Sequence, residues 1–172
     1  MTRGWWRRNA VSLMVVAALL PLTAGVIAAN QWSEWDIGHA TRPITVAAGD
    51  SVSYDGGTIG PARARFDDDP VAPAGTRIVT ATVLVTPGDS AISCPTPRLR
   101  EAGGAGRQWD EASFELDREV DAERNTFCSP EMPIRYSLTL DYLVPEDATG
   151  PFAIEIESGN ELPAFVRLIV EP

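Results

Sequence analysis

The chain has no lysine, so all 14 of its basic residues are arginine, and its 24 acidic residues bring the net charge to −10. Proteins that bind nucleic acid use basic residues to neutralise phosphates and to release counterions. This excess of negative charge therefore predicts no nucleic-acid partner. With 172 residues, 44% of them hydrophobic, the chain is long enough for one domain with its own core.

Histidine is almost absent as well, because His39 is the only one in the chain. A serine or cysteine nucleophile normally needs an imidazole base, and we expect His39 to be an exposed linker residue. A glycoside hydrolase needs a pair of carboxylates across a cleft. The 24 acidic residues of this chain form many pairs by chance, and no motif marks one pair as catalytic. The glycine-rich run at 101–106 lacks the lysine of a phosphate-binding loop and predicts a hairpin turn. These patterns favour a protein that is not an enzyme, with no catalytic residue and no cofactor.

The N-terminus combines basic residues with a long apolar run. Three arginines lie within residues 1–9, and an apolar run occupies residues 10–29. As a helix this run would extend about 30 Å, the thickness of a bilayer's hydrocarbon core. Basic flanks stay in the cytoplasm, so the pattern predicts a cytoplasmic tail at 1–9, a transmembrane anchor at 10–29 and a stem at 30–41.

Tryptophans favour the anchor, since amphipathic indole rings settle at membrane interfaces. Two lie before the apolar run and two follow it: Trp5, Trp6, Trp32 and Trp35. The alternative is a secretory signal peptide that is cleaved near Ala29, where small residues provide a tolerable cleavage site. No cysteine follows the apolar run directly, which excludes lipid attachment there.

Both cysteines, Cys94 and Cys128, lie in the part of the chain that would be exported. Thiols outside the cytoplasm are normally oxidised, and two cysteines allow a single pairing. A disulfide closing a loop of about 35 residues would stabilise the fold by about 3 to 4 kcal/mol. A redox site would favour a Cys-X-X-Cys spacing, and a zinc site would need four ligands. The two cysteines are 34 positions apart and the chain has one histidine, so we interpret the pair as a structural disulfide.

Strand patterns fill residues 42–172. Short β-branched or alternating runs end at glycine and proline signals: RPITVAAG, SVSYDGG, TRIVTATVLVTPG, RYSLTLDYLVP, FAIEIES and AFVRLIVEP. The alternation places Asp141 on the polar outer face of one strand, and Glu155 and Glu157 on that of another. The pattern predicts an all-β fold, an antiparallel two-sheet sandwich. The stretch 110–125 is rich in helix formers and could hold a helical turn or two.

The stretch ISCPTPRLREAGGAGRQW at 92–109 is interpreted as architecture. We expect Leu99 on a short strand, the glycines in a turn, and Trp109 packed against the core near the disulfide. If Trp109 instead stood exposed beside other aromatic side chains, it would be the first candidate for a binding surface.

Asp67, Asp68 and Asp69 are the best candidates for a metal site. Calcium takes six to eight oxygen ligands, of which a loop of consecutive aspartates could supply two or three. The Asp-X-Asp-X-Asp-Gly spacing of calcium loops is absent. We therefore interpret these residues as a solvated loop between strands, and weak calcium binding stays as an alternative.

Four stretches follow one another in an order typical of a known family: AGTRIVTATVLVTPG, CPTPRLREAGGAGRQW, FCSP and YLVPEDATGPFAIEI. They resemble the Ig-like β-sandwich domains of unknown function found on membrane-anchored proteins and lipoproteins of Gram-positive bacteria, especially actinobacteria. The resemblance covers about residues 42–172. It implies an extracytoplasmic sandwich with a structural disulfide, carried here by Cys94 and Cys128, and it implies no catalytic residue.

These expectations combine into one functional hypothesis. The chain is a single-pass protein of the cell membrane, anchored through residues 10–29, with an extracytoplasmic Ig-like sandwich at 42–172. The sandwich is a non-enzymatic interaction module that contacts another envelope protein or a cell-wall component. The alternative is a secreted ligand- or calcium-binding module, released by signal peptidase.

Overall fold

The computed structural model describes residues 3–89, 92–118, 124–132 and 134–172. Its contacts divide the chain into two compact units, Met1–His39 and Ala40–Pro172. The first unit is helical and the second is built from two sheets.

Helix α1, Arg3–Gly38, is continuous through Pro21. Its most apolar 18-residue window has a mean hydropathy of 2.3, and none of that window is buried. The helix is therefore long and apolar enough to cross a membrane, a criterion that a signal sequence near the N-terminus also meets. Most of the predicted stem at 30–41 is also helical, because α1 ends only at Gly38.

The described part of the second unit contains nine strands: β1 Arg42–Val46, β2 Val52–Tyr54, β3 Gly57–Asp67, β4 Thr76–Thr86, β5 Arg98–Glu101, β6 Gln108–Trp109, β7 Tyr136–Pro145, β8 Phe152–Ile156 and β9 Ala164–Val170. Sheet A has the order β1-β9-β8-β5-β6, and sheet B the order β2-β3-β4-β7. The six strand patterns read from the sequence correspond to β1, β2, β4, β7, β8 and β9.

The expectation of antiparallel pairing throughout is wrong at one strand, because β1 pairs with β9 in parallel. The backbone N–H groups of Thr41 and Arg42 both donate to the carbonyl oxygen of Pro163 at 3.0 Å. Those bonds place the start of β1 beside the start of β9, with Arg42 opposite Ala164. The two strands then continue in the same direction, and β1 forms one edge of sheet A.

The inward side chains of both sheets contribute to one cluster of buried residues. Sheet B supplies Leu138, Leu140 and Tyr142 from β7, as the alternation of the sequence predicts, and sheet A supplies Ile154 and Leu168. The phenolic O–H of Tyr142 donates to the carbonyl oxygen of Pro97 at 3.0 Å, so its one polar group is satisfied inside the core. Burial of these apolar side chains is the main stabilising contribution to the domain.

A second, smaller cluster lies on the outer face of sheet B. Ala112 and Leu116 pack there against Ile78 of β4, with Leu143 of β7 partly buried beside them. The backbone N–H of Leu116 donates to the carbonyl oxygen of Ala112 at 3.0 Å, which makes one turn of helix. We call residues 111–118 the edge segment. Its single turn agrees with the helical turn expected in this part of the chain.

Candidate functional site

Cys94 and Cys128 form the disulfide predicted from the sequence. Their backbones also exchange two hydrogen bonds, at 3.1 and 3.4 Å, in an isolated β-bridge. Both residues belong to the buried core cluster. The bond therefore ties the segment between β4 and β5 to the segment that precedes β7, and its place in the core makes it structural.

Asp141 does not lie on a solvated face, and its side chain is only 2% exposed. Oδ1 accepts a hydrogen bond from the hydroxyl of Thr80 at 2.7 Å. Oδ2 accepts hydrogen bonds from the guanidinium groups of Arg118, at 3.2 Å, and of Arg124. The prediction of an exposed carboxylate is wrong because the edge segment covers this part of the outer face of sheet B.

The edge segment also occupies the free backbone edge of β7. The backbone N–H of Ala112 donates to the carbonyl oxygen of Asp141 at 2.7 Å, and that of Asp141 donates to the Glu111 carboxylate at 3.3 Å. Further along, the N–H of Thr139 donates to the carbonyl oxygen of Asn125 at 2.9 Å. An edge strand whose polar groups are already bonded cannot readily add a strand from another chain. Strand addition at Thr139 and Asp141 would therefore require these contacts to be displaced.

Two of the three aspartates proposed for calcium, Asp67 and Asp69, contact Arg118, whereas Asp68 is exposed. Asp67 is the last residue of β3, so the predicted loop begins one position later. Asp69 Oδ2 accepts a hydrogen bond from Arg118 Nη1 at 2.6 Å, and Asp67 Oδ2 lies 3.8 Å from Arg118 Nη2. The hydrogen bond from the backbone N–H of Val71 and then the bond from Arg118 hold the pKa of Asp69 below its ordinary value. Among the described residues, His, Cys, Asp and Glu side chains form no group of three or more placed to hold a metal ion.

Glu155 is a second buried carboxylate that the alternation of β8 had placed outward. It is 6% exposed, because long side chains from neighbouring strands cover it. Arg167 of β9 donates from Nη2 at 2.7 Å, Arg100 Nε of β5 lies 2.9 Å away, and Gln108 of β6 donates at 3.0 Å. The prediction of the face is correct and that of solvent exposure is wrong. This cluster joins four strands of sheet A and has a structural role.

A groove lies between the edge segment and residues 124–127, with a volume of about 490 Å³. Phe114 and Phe127 are among its lining residues, as are Arg118 and Arg124. The ring of Phe114 is 94% exposed and that of Phe127 is 53% exposed. We call this feature the Phe114–Phe127 groove.

The local fold explains why Phe114 is exposed. It lies in the helical turn between Ala112 and Leu116, which are four positions apart and therefore share the face that packs on sheet B. A residue halfway between them in the turn points away from that face. Phe127 precedes Cys128, whose side chain is fixed in the core by the disulfide. The groove was not predicted from the sequence. The one local pattern that indicates it is Phe114, a large apolar residue between the two buried positions Ala112 and Leu116 of the turn.

The structure confirms the strand position of Leu99 and the glycine turn predicted for 92–109, and it packs Trp109 on the core, while the proximity of Trp109 to the disulfide stays a prediction. Leu99 is fully buried on β5, and Gly104 and Gly106 both have φ of +64° in the turn to β6. Trp109 lies opposite Leu99 and is partly buried against the core. Its ring meets that of Phe152 edge to face, with centroids 5.9 Å apart. Trp109 is thus a packing residue rather than the exposed aromatic that would have marked a binding surface.

His39 lies directly after helix α1. Its ring stacks on that of Trp35 with centroids 4.7 Å apart, and its Nδ1 lies 2.7 Å from the carbonyl oxygen of Trp35. This contact satisfies a carbonyl at the end of the helix. His39 therefore has a local structural contact, consistent with its interpretation as a linker residue.

Comparison of the chain with protein-family models, curated proteins and solved structures found no match.

Proposed function

We propose that the chain is a single-pass membrane protein whose residues 40–172 act as a non-enzymatic interaction module on the outer side of the cytoplasmic membrane. The observation that carries the proposal is the disulfide between Cys94 and Cys128 in a chain that also has an N-terminal apolar helix. Disulfides persist outside the cytoplasm and are rare within it. The arginines at positions 3, 7 and 8 give the start of the helix the charge of a cytoplasmic flank.

The domain is proposed to be an Ig-like β-sandwich. Support comes from the two sheets, whose inward side chains belong to one buried cluster. The disulfide differs from that of antibody domains, which joins strands of opposite sheets, because Cys94 and Cys128 lie outside the named strands. The parallel pairing of β1 with β9 completes sheet A.

The role as an interaction module is supported by the buried carboxylates, because each of them is bonded to side chains of the fold itself. Asp141 and Glu155, the buried carboxylates described above, are held by arginines that orient them within the fold. Asp55, a third, accepts hydrogen bonds from Ser158 and Asn160. Each of these groups is used to stabilise the domain. The Phe114–Phe127 groove, in contrast, presents apolar surface to solvent, as interaction sites do.

The experiment fractionates cells that express the full chain and then labels the thiols of the denatured chain with an alkylating reagent, either before or after reduction. We expect the chain in the membrane fraction, with Cys94 and Cys128 labelled only after reduction. A Cys94→Ser variant is the matched control, since its remaining Cys128 should be labelled without reduction. Thiols that are labelled at once in the unmodified chain would place the domain in the cytoplasm and overturn the proposal. A chain found in the medium would instead support the secreted module.

A further inference from the structure

We propose that the Phe114–Phe127 groove binds a basic polypeptide segment that carries an apolar side chain, on another protein of the envelope. The inference rests on the proposed interaction role of the domain and names the chemistry of the partner. The first observation is the exposure of the two rings, 94% for Phe114 and 53% for Phe127. Large apolar side chains that lie exposed around one cavity mark a place where a partner removes them from water.

The groove is already formed without a partner. Arg118 and Arg124 both donate to Asp141, which places two lining residues on one buried carboxylate. The backbone that carries Phe114 is held by the packing of Ala112 and Leu116 on sheet B, and Phe127 is adjacent to the disulfide. A site whose backbone is held in place loses little backbone conformational entropy when a ligand enters.

The charge around the groove selects the partner. The positive charges of the two lining arginines are matched by Asp141 and, for Arg118, also by Asp69. The other charged residues that line the groove are both acidic, Glu111 and Asp117, and their described neighbours Asp110 and Glu115 add negative charge. Exposed aromatic faces attract arginine and lysine side chains, and opposite charges steer association. Both effects favour a basic segment with an apolar anchor.

The same charge argues against other occupants of the groove. Residues 40–172 contain 11 arginines and 22 acidic residues. Anionic lipid headgroups would be repelled by this surface. A second copy of the chain would bring a domain of the same negative charge. The basic segment is therefore the occupant that fits both the apolar rings and the electrostatics.

The test uses the full chain in nanodiscs of zwitterionic lipid. The probe is a short fluorescent peptide that alternates arginine with leucine or phenylalanine, and its control has glutamate at every arginine position. We expect the arginine peptide to bind at least about tenfold more tightly than the glutamate peptide. Phe114→Ser and Phe127→Ser should each weaken binding of the arginine peptide by about tenfold, the loss expected when one aromatic anchor is removed.

Ile134→Ser is the matched control, because Ile134 is 72% exposed and is not a lining residue of the groove. It should change the affinity by less than about twofold. Phe114→Ser removes an exposed side chain and should leave the thermal midpoint unchanged, so it keeps the test valid if Phe127→Ser fails to fold. Binding that is equal in all variants, or absent from the start, would overturn the inference, as would binding to anionic vesicles that requires Phe114. Membrane topology is measured separately, so either proposal can fail while the other stands.

Discussion

Asp141→Asn should destabilise the domain strongly although it changes only one atom. The substitution removes the charge that Arg118 and Arg124 share and keeps the shape of the side chain. The two guanidinium groups are then left beside a neutral amide, which has one acceptor oxygen in place of the two of the carboxylate. Because Asp141 is only 2% exposed, water cannot replace the lost carboxylate.

The magnitude follows from the burial of the partners. Removal of one member of a buried ion pair costs about 3 to 5 kcal/mol. The side chains of Arg118 and Arg124 are 23% and 22% exposed, and Arg118 keeps its bond to Asp69. Partial hydration and the remaining bond favour the lower end, a loss of about 3 kcal/mol in the free energy of unfolding. For a domain of this size that lowers the thermal midpoint by about 10 °C.

Scanning calorimetry of the detergent-solubilised full chain measures this midpoint. The matched control is Asp68→Asn, the same chemical change at an exposed position, which should alter stability by less than about 0.5 kcal/mol. In an Arg124→Gln background, Asp141→Asn should cost less than it does alone, because one of its two ionic partners is already gone. If Asp141→Asn unfolds within about 1 kcal/mol of the parent chain, the ion cluster does not stabilise the fold and the reasoning is refuted.

Three further predictions concern the disulfide and the titration of the domain. The double variant Cys94→Ser with Cys128→Ser should lose about 3 to 4 kcal/mol in denaturant unfolding, and an unchanged midpoint would contradict the structural role of the bond. Because the pKa of Asp69 is lowered in the folded state, its contribution is complete above the ordinary value and is lost as pH falls through the lowered one. Asp69→Asn should therefore destabilise the chain at neutral pH, and the difference in stability between variant and parent should shrink as pH falls below the ordinary carboxylate pKa. A difference that stays constant would argue against the lowered pKa. Burial raises the pKa of every tyrosine in the chain, so ultraviolet absorbance of the native chain should detect tyrosine ionisation only above the ordinary pKa of about 10. The free energy of unfolding should fall over the same pH range. Tyrosines that ionise at the ordinary pKa in the native chain would show that their hydroxyls are accessible to water. The three tyrosines are Tyr54, Tyr136 and Tyr142.

Alternation of side chains was sufficient to predict β7 and β8, since each has large apolar residues at every second position, and a long β-branched run predicted β4. Strand β3 has no such signal. Gly60 and Pro61 interrupt it at a bulge, and the small residues Ala62 and Ala64 occupy its following inward positions. The parallel pairing of β1 depends on bonds to Pro163, which is distant in the chain, and local patterns cannot show such a contact.

The same limit applies to the candidate site. Successive side chains of a strand point to opposite faces of the sheet, and this alternation predicted the correct face for Asp141 and Glu155. It does not tell what covers that face, and here arginines and the edge segment do. The Phe114–Phe127 groove depends on two segments that both contact strand β7 at the edge of sheet B. Its two rings are 13 positions apart in the sequence, a spacing that belongs to no local motif.

The orientation of the chain in the membrane is tested most directly by protease added to intact spheroplasts that carry the full chain. Mass spectrometry of the membrane fraction then identifies the surviving fragment. We expect residues 40–172 to be degraded and a fragment that starts at Met1 and contains helix α1 to stay in the membrane. A full-length chain that resists the protease until the spheroplasts are lysed would contradict the proposed orientation, as would a membrane fraction without that N-terminal fragment.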